Sequence, residues 1–446
     1  MNTRNLLLFA SMALLIVLEG TTTLGGIFGG SWNTAMFILN FGLLSAIMAL
    51  GLNMQWGYAG LFNSGIVGFV ALGGLAPVLI STAPVPEVWT PSGAWQVILA
   101  LVLGAGVIAL AVQLNHRLRG GARALALGAT LIGGFFLFRA IFDPAVEVIE
   151  AFDPEVHSNL GGLGLPVLLS WPVGAAFAAG AAWLIGKTAL GLRSDYLAIA
   201  TLGIGEILVS VLKNEDWLGR GVKLVTQIPR PVPYEYDLQA NAGFAEISAH
   251  LGADPVAAST IAVKLLYTAL FCVILLALIW ASESALRSPW GRMMRAIRDN
   301  ETAARAMGKD VTRRHLQIFI LGCAVFGLAG AMMVTMDSLH NPGTYNPLRF
   351  TFLIWVMVIA GGSGNNWGTI LGAFLISFIW LKVEAWGPAA LDLVASGLQA
   401  DSPLREHLRD AAAHMRVIVL GIVLILVLKF RPKGIIPERQ GGSRSG

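Results

Sequence analysis

Charge is the scarcest property of this chain. Only 13% of its 446 residues are charged, against about 25% in a soluble domain. A water-solvated globular surface over most of its length is therefore excluded. Cysteine is almost absent too. Cys272 and Cys323 both fall inside apolar runs, which excludes a disulfide framework. There is no HExxH, no CxxC and no His/Cys cluster with metal-ligand spacing, and His250, His407 and His414 are scattered outside spans or at their ends. Gly186-Lys187-Thr188 ends like a phosphate loop, but that loop needs glycine where Ala181 stands, and it closes an apolar run, not a strand-to-helix turn. Gly361-Gly362-Ser363-Gly364-Asn365 lacks the last glycine of a nucleophile elbow. No catalytic constellation, ATP site, cofactor site or metal site is expected in the chain itself. No basic, aromatic-interleaved surface points to nucleic acid.

What is present is apolar length. Hydrophobic residues make up 56% of the chain, and the mean hydropathy is +0.71. A bilayer crossing needs about 20 mostly apolar residues. Such stretches occur near 6–28, 33–53, 61–81, 94–114, 123–142, 166–187, 195–213, 262–283, 316–336, 348–362, 367–383 and 414–430. None alternates like a barrel strand. The expected fold is all-α: one polytopic membrane bundle over residues 1–446, with roughly 10–12 transmembrane helices and broken or re-entrant glycine-rich segments. The tenth stretch is short and could form one broken element with the eleventh. The first stretch has only Arg4 ahead of it and no clear small-residue cleavage site, so it reads as a retained helix. The 52 glycines suit close helix packing in lipid.

Charge orients the bundle. With the N-terminus inside, segments 115–122, 188–194 and 284–315 and the tail 431–446 are cytoplasmic and basic. The external segments are 143–165, with five acids and no Lys or Arg, and 214–261, with six acids and three bases. Trp89, Trp95, Trp171 and Trp386 lie near predicted span ends, as interfacial anchors do. Segment 214–261 is long enough for a small cap but too short for a substrate-binding domain.

Four features point to function. The first is Ala49 to Gly74, where an apolar run meets a glycine-rich break carrying Asn53, Gln55, Gly57, Asn63 and Ser64. Unwound backbone at membrane depth is tolerated where it is buried or lines a cavity. The segment therefore reads as a pore or gate lining, or as a tight turn at the interface. The second, Ile359 to Gly368, has the same form, with Gly361, Gly362 and Asn366; Gly368 and Gly372 add a GxxxG contact face. The third is Glu206, near the middle of an apolar stretch. An acid there faces a partner or a wet cavity, on a translocation path or in a packing hydrogen bond. The fourth is loop 284–315, with eight Lys/Arg against three acids. Ser288-Pro289 is a helix-start signal and Gly308 a stop. Met293, Ile297, Ala304 and Met307 recur at helical spacing. The small residues of Glu301 to Gly308 favour insertion into a protein groove over rest on lipid headgroups.

The pattern Gly291-Arg-Met-Met-Arg-Ala-Ile-Arg-Asp-Asn-Glu-Thr-Ala-Ala-Arg-Ala-Met-Gly308 resembles the coupling-loop signature of ABC importer permeases, and more narrowly that of the LivM-type permeases of branched-chain amino acid uptake. Gly51–Asn63, Ser194–Glu206 and Gly361–Gly368 match the same family in kind and order, so the likeness covers residues 35–74, 185–219 and 265–381. Region 115–187 departs from it; the family has about ten spans, and one added hairpin accounts for twelve. The resemblance implies a permease subunit in a bacterial inner membrane, with both termini cytoplasmic. It implies pairing with a second, homologous permease and docking of two cytoplasmic ATPase subunits, which hold the ATP and magnesium. An external solute-binding protein would deliver leucine, isoleucine, valine or related cargo; urea or other amino acids are the alternative. Arg292, Arg295, Ile297, Arg298, Glu301, Ala304 and Gly308 are then expected at the ATPase interface. Asn53, Gln55, Gly57, Asn63, Glu206, Gly361, Gly362 and Asn366 are expected on the path or gate. A stand-alone secondary carrier, with Glu206 as proton site, is the competing class.

Overall fold

A computed structural model describes residues 3–23, 29–151, 159–250, 252–396, 411 and 414–438. Each of the twelve apolar stretches folds as a helix. They are α1 (Thr3–Thr21), α2 (Trp32–Leu52), α3 (Ile66–Ser81), α4 (Ala94–Arg117), α5 (Gly120–Glu150), α6 (Val167–Ala189) and α7 (Ser194–Asn214). After the short α8 (Asp216–Gly219), α9 (Glu235–Ala240) and α10 (Ala242–His250) come α11 (Pro255–Arg287), α12 (Pro289–Asp299) and α13 (Glu301–Ala306). The chain closes with α14 (Val311–Asp337), α15 (Leu353–Gly361), α16 (Asn366–Ser396) and α17 (Met415–Phe430). No strand occurs among the described residues; one isolated backbone bridge joins Val225 to His340.

Eight of these helices are long and apolar enough to cross a bilayer unaided. The protein is a multi-pass helical membrane protein. The exceptions are instructive. The stretch expected at 61–81 becomes helical only at Ile66, and the one expected at 6–28 ends its helix at Thr21, with 24–28 outside the described residues. Elsewhere the helices overrun their apolar stretches. α5 continues through Glu150, α11 begins at Pro255, and α14 begins at Val311 inside the basic loop. Caps explain the last two starts: Asp254 accepts the Ala257 amide at 3.2 Å, and Asp310 accepts the Arg313 amide at 3.0 Å.

Hydropathy does not separate core from periphery here. In its most apolar stretch α2 is 89% buried and α5 not at all. The core is α2, α3, α14 and α15, with α6, α11 and α16 around it. Gly73 of α3 and Gly327 of α14 meet backbone to backbone: a Cβ on Gly73 would lie 2.1 Å from the Gly327 carbonyl oxygen. This approach sets helix spacing in a bundle that lacks a hydrophobic drive between helices. Trp171 belongs to this core. It is 3% exposed and its Nε1 donates to Thr335 Oγ1 at 3.1 Å, so it is a packing residue and not the interfacial anchor its position suggested. In region 115–187 only α5 is peripheral. It pairs with α4, where Gln96 Nε2 donates to the Ile141 carbonyl at 3.1 Å and Gly134 lies against Val107, while α6 packs centrally on α3 and α14.

The bridge between Val225 and His340 carries a titrating packing group. His340 and Val225 exchange both backbone hydrogen bonds, at 2.8 and 2.9 Å. The His340 ring is buried with neither nitrogen hydrogen-bonded, and burial lowers its pKa to about 4. The folded value lies below the ordinary 6.5, so the unfolded chain takes up a proton first as pH falls. Stability conferred by the neutral ring is complete above pH 6.5 and is lost between 6.5 and 4. Lowering pH from 7 to 5 is expected to cost up to about 2 kcal/mol through this group. Thermal melts at both pH values check it; the drop should shrink in His340→Phe, and an equal drop would exclude His340 as its source.

Candidate functional site

The first glycine break is a structured joint. α2 runs on through a π-turn, Asn53–Gly57, a local widening of the helix. The chain then turns at Gly60, with φ +70°, and runs without helix to Gly65. Side-chain amides hold this segment. Gln55 Nε2 donates to the Phe319 carbonyl at 2.9 Å, and Gln55 Oε1 accepts from Asn63 Nδ2 at 2.9 Å. Asn63 Oδ1 accepts the Gly65 amide at 2.9 Å, and Trp355 Nε1 donates to the Asn63 carbonyl at 3.0 Å. Asn53, Gln55 and Asn63 are each 0% exposed. Polar backbone freed from the helix is thus satisfied inside the protein, as a membrane interior demands.

The second break lies against the first. α15 ends at Gly361, the chain turns through Gly362 (φ +117°) and Gly364 (φ +78°), and α16 starts at Asn366. Asn53 accepts the Gly364 amide at 2.8 Å and donates to Asn366 Oδ1 at 3.1 Å. The Tyr58 hydroxyl also donates to Asn366 Oδ1. Burial, with the Glu283 and Glu438 charges, holds that hydroxyl far above its ordinary pKa, so it stays a donor. Asn366 in turn donates to Ser282 Oγ at 3.1 Å and Glu283 Oε1 at 3.0 Å. Gly57 is the contact point, since a Cβ there would lie 2.6 Å from the Gly364 nitrogen. Two segments alike in form, some 310 residues apart, make one joint. The expected GxxxG face is present too, with Gly368 and Gly372 packed on the backbone of Gly361.

The basic loop folds as α12 and α13, which lie beside this joint. Ser288 caps α12, Asn300 caps α13 by accepting the Ala303 amide at 2.9 Å, and Gly308 stops it with φ +75°. The inward face of α12 is Gly291, Met294 and Ile297. The expected apolar stripe is therefore corrected: Ile297 belongs to it, Met293 and Ala304 are half-buried, Met294 takes the central place, and Met307 is 79% exposed. Arg292, Glu301 and Gly308 are exposed. Arg295 donates to the Leu286 carbonyl at 3.1 Å. Arg298 turns inward, where its Nη1 donates to the Gly57 carbonyl and pairs with Glu438 Oε2 at 2.9 Å. A polar cavity of about 350 Å³ opens beside it, lined by Tyr58, Glu283, Arg287, Arg295, Asn366 and Glu438.

Glu206 stands apart. It is exposed on the outer face of α7 and makes no hydrogen bond or ion pair with any described residue.

A helical membrane protein with a basic helical loop fastened to paired glycine breaks invites comparison with transporter subunits. The family model described as branched-chain amino acid transport system / permease component matches residues 34–428. The chain belongs to that family. This permease is 29% identical over 318 residues to the high-affinity branched-chain amino acid transport system permease protein LivM of Escherichia coli (strain K12), covering 70% of this chain and 67% of the relative. It is 24% identical over 412 residues to the probable branched-chain amino acid transport permease protein LivM of Methanocaldococcus jannaschii, covering 91% and 93%. No solved structure matches it. The permease is thus a homologue of LivM, a permease component of ABC importers. The matched range contains region 115–187.

Sequence reasoning missed Tyr58, Glu283 and Glu438. Glu438 is one acid in a basic tail, and nothing in its surroundings in the chain marks it as a partner of Arg298.

Proposed function

We propose that this permease forms half of the pore of an ATP-driven importer of branched-chain or related hydrophobic amino acids in a bacterial inner membrane. It pairs there with a homologous second permease, within membrane lipid, and both its termini are cytoplasmic. Two cytoplasmic ATPase subunits carry the ATP and magnesium and perform the hydrolysis, and an external solute-binding protein delivers the cargo. The observation that carries this reading is the position of α12. It presents Arg292, with Glu301 and Gly308 just beyond it, outward, while its inner side is hydrogen-bonded to the first glycine break through Arg298. A helix so placed passes movement of a docked partner into the bundle.

The gate on this reading is the joint of Asn53, Gln55, Gly57 and Asn63 with Gly361, Gly362 and Asn366. Glu206 contributes to the path from the exposed face of α7. A carboxylate facing lipid at mid-span is strongly disfavoured, so the outer face of α7 turns toward the second permease and the water between the two.

The test is purification of the C-terminally tagged chain from native membranes with identification of what accompanies it. An ATPase subunit is expected with wild type and is expected to be lost, by about tenfold or more, from Glu301→Lys and from Gly308→Trp, both on the exposed rim of the loop. Wild type free of any ATPase in several detergents would overturn the reading in favour of a stand-alone carrier, with Glu206 then tested for proton coupling.

A further inference from the structure

The last described segment of the chain, Lys433–Glu438, is neither helix nor free tail. It lies in the second glycine break. The Ile435 amide donates to the Ala360 carbonyl at 2.9 Å and the Ile436 amide to the Gly361 carbonyl at 3.0 Å. Asn365 Nδ2 donates to the Pro437 carbonyl at 3.1 Å. Gly434, with φ +79°, sits so close that a Cβ on it would lie 2.3 Å from the Gly362 Cα. The Ile436 side chain is 5% exposed and packs with Met12, Ile38 and Leu371. These contacts take up carbonyls that the end of α15 would otherwise leave without donors.

The far end of the same segment reaches the docking helix. Glu438 pairs with Arg298 at 2.9 Å, and both side chains are about a quarter exposed, at 25% and 24%. The same guanidinium nitrogen also serves the Gly57 carbonyl. One side chain of α12 therefore holds the first break and the strap over the second. A guanidinium suits this double role, being planar, always charged and armed with several donors in a fixed fork, whereas a lysine ammonium is a single point charge on a flexible stem. α12 cannot shift by more than the slack of these bonds unless it moves both breaks or parts from them.

We propose that the strap Lys433–Glu438, tied to the docking helix through Arg298, is the link that carries movement of that helix into the second glycine break. Arg298 and Glu438 are positioning residues; neither needs to touch cargo or ATPase. This rests on the importer reading. The strap is then part of the transport machinery and not a disordered cytoplasmic tail.

The experiment uses the full importer reconstituted in proteoliposomes, with ATP hydrolysis and leucine uptake measured on the same preparation. Arg298→Lys and Glu438→Gln are each expected to lower leucine imported per ATP hydrolysed by about tenfold, as for loss of one charge-assisted bond from a moving joint. The ATPase subunits should remain in the complex and the thermal midpoint should move little. The double variant should be no worse than the worse single one, because both cut the same link. Transport per ATP within twofold of wild type in both single variants would overturn the proposal, as would a lowered thermal midpoint with unchanged stoichiometry, which marks a purely structural tie. Loss of the ATPase from either variant would also overturn it, since these residues would then form the dock itself. A wild-type complex with no ATPase fails earlier and differently: it takes down the importer reading, and the link with it.

Discussion

Gly57→Val is expected to abolish amino-acid uptake by the reconstituted importer, with a loss of about a hundredfold or more. At this position the two glycine breaks touch. A Cβ would stand 2.2 Å from Asn53 Oδ1 and 2.6 Å from the Gly364 nitrogen. Valine places two further methyl groups beyond that Cβ, so Asn53 has to leave. Its departure strands the Gly364 amide and removes the Asn53 bond to Asn366 in one step. Overpacking typically costs about 1–3 kcal/mol, and each buried donor or acceptor left unpaired adds about 1–3 kcal/mol. The matched control is Gly106→Val on α4, where a Cβ meets nothing within 4 Å. That variant should import normally. Uptake by Gly57→Val within twofold of the control would mean that transport does not need the breaks in contact.

Lys382→Met is expected to produce the largest loss of stability from a single polar substitution. Lys382 of α16 and Glu19 at the end of α1 form an ion pair, with Nζ 2.9 and 3.1 Å from the two carboxylate oxygens. Both are buried, at 6% and 1% exposure. Glu19 also accepts the Gly29 amide at 3.1 Å. Breaking a buried pair by removing one partner leaves an uncompensated charge and costs about 3–5 kcal/mol. For a chain of this size that corresponds to a fall in melting temperature of roughly 3–5 °C. Glu19→Gln with Lys382→Met should recover most of it, because a neutral amide can keep the Gly29 bond without a counter-ion. Thermal melts in detergent decide the matter. If the single and double variants melt together, the pair is not what fastens α1 to α16.

The apolar stretches were legible because the bilayer imposes one length and one backbone solution on every crossing. The helix-start and helix-stop chemistry of the basic loop was legible as well. Ser288, Pro289 and Gly308 act through their own backbone neighbours, so tertiary structure is not needed to read them. The two glycine breaks were visible as breaks. Their contact was not, because an asparagine at 53 and one at 366 carry no mark of each other in a single chain. The apolar face of the docking helix was misjudged by one residue, Met293 for Met294. Two adjacent methionines offer the same hydropathy, and only the packing of α12 on the bundle chooses between them.

Class, span positions, family likeness and the existence of a basic helical loop therefore follow from local composition and from motifs read along the chain. Three things were decided only by the folded bundle. Arg298 turned from the docking surface to the Gly57 carbonyl and Glu438. The tail became a strap, seated by the unpaired carbonyls at the end of α15. Glu206 was left exposed on α7, outside the packing of the described residues. The physical reason is common to the first two. A polar group in a membrane interior must be satisfied, but which distant group satisfies it depends on how the helices pack, and here backbone-to-backbone contacts such as Gly73 against Gly327 set that packing.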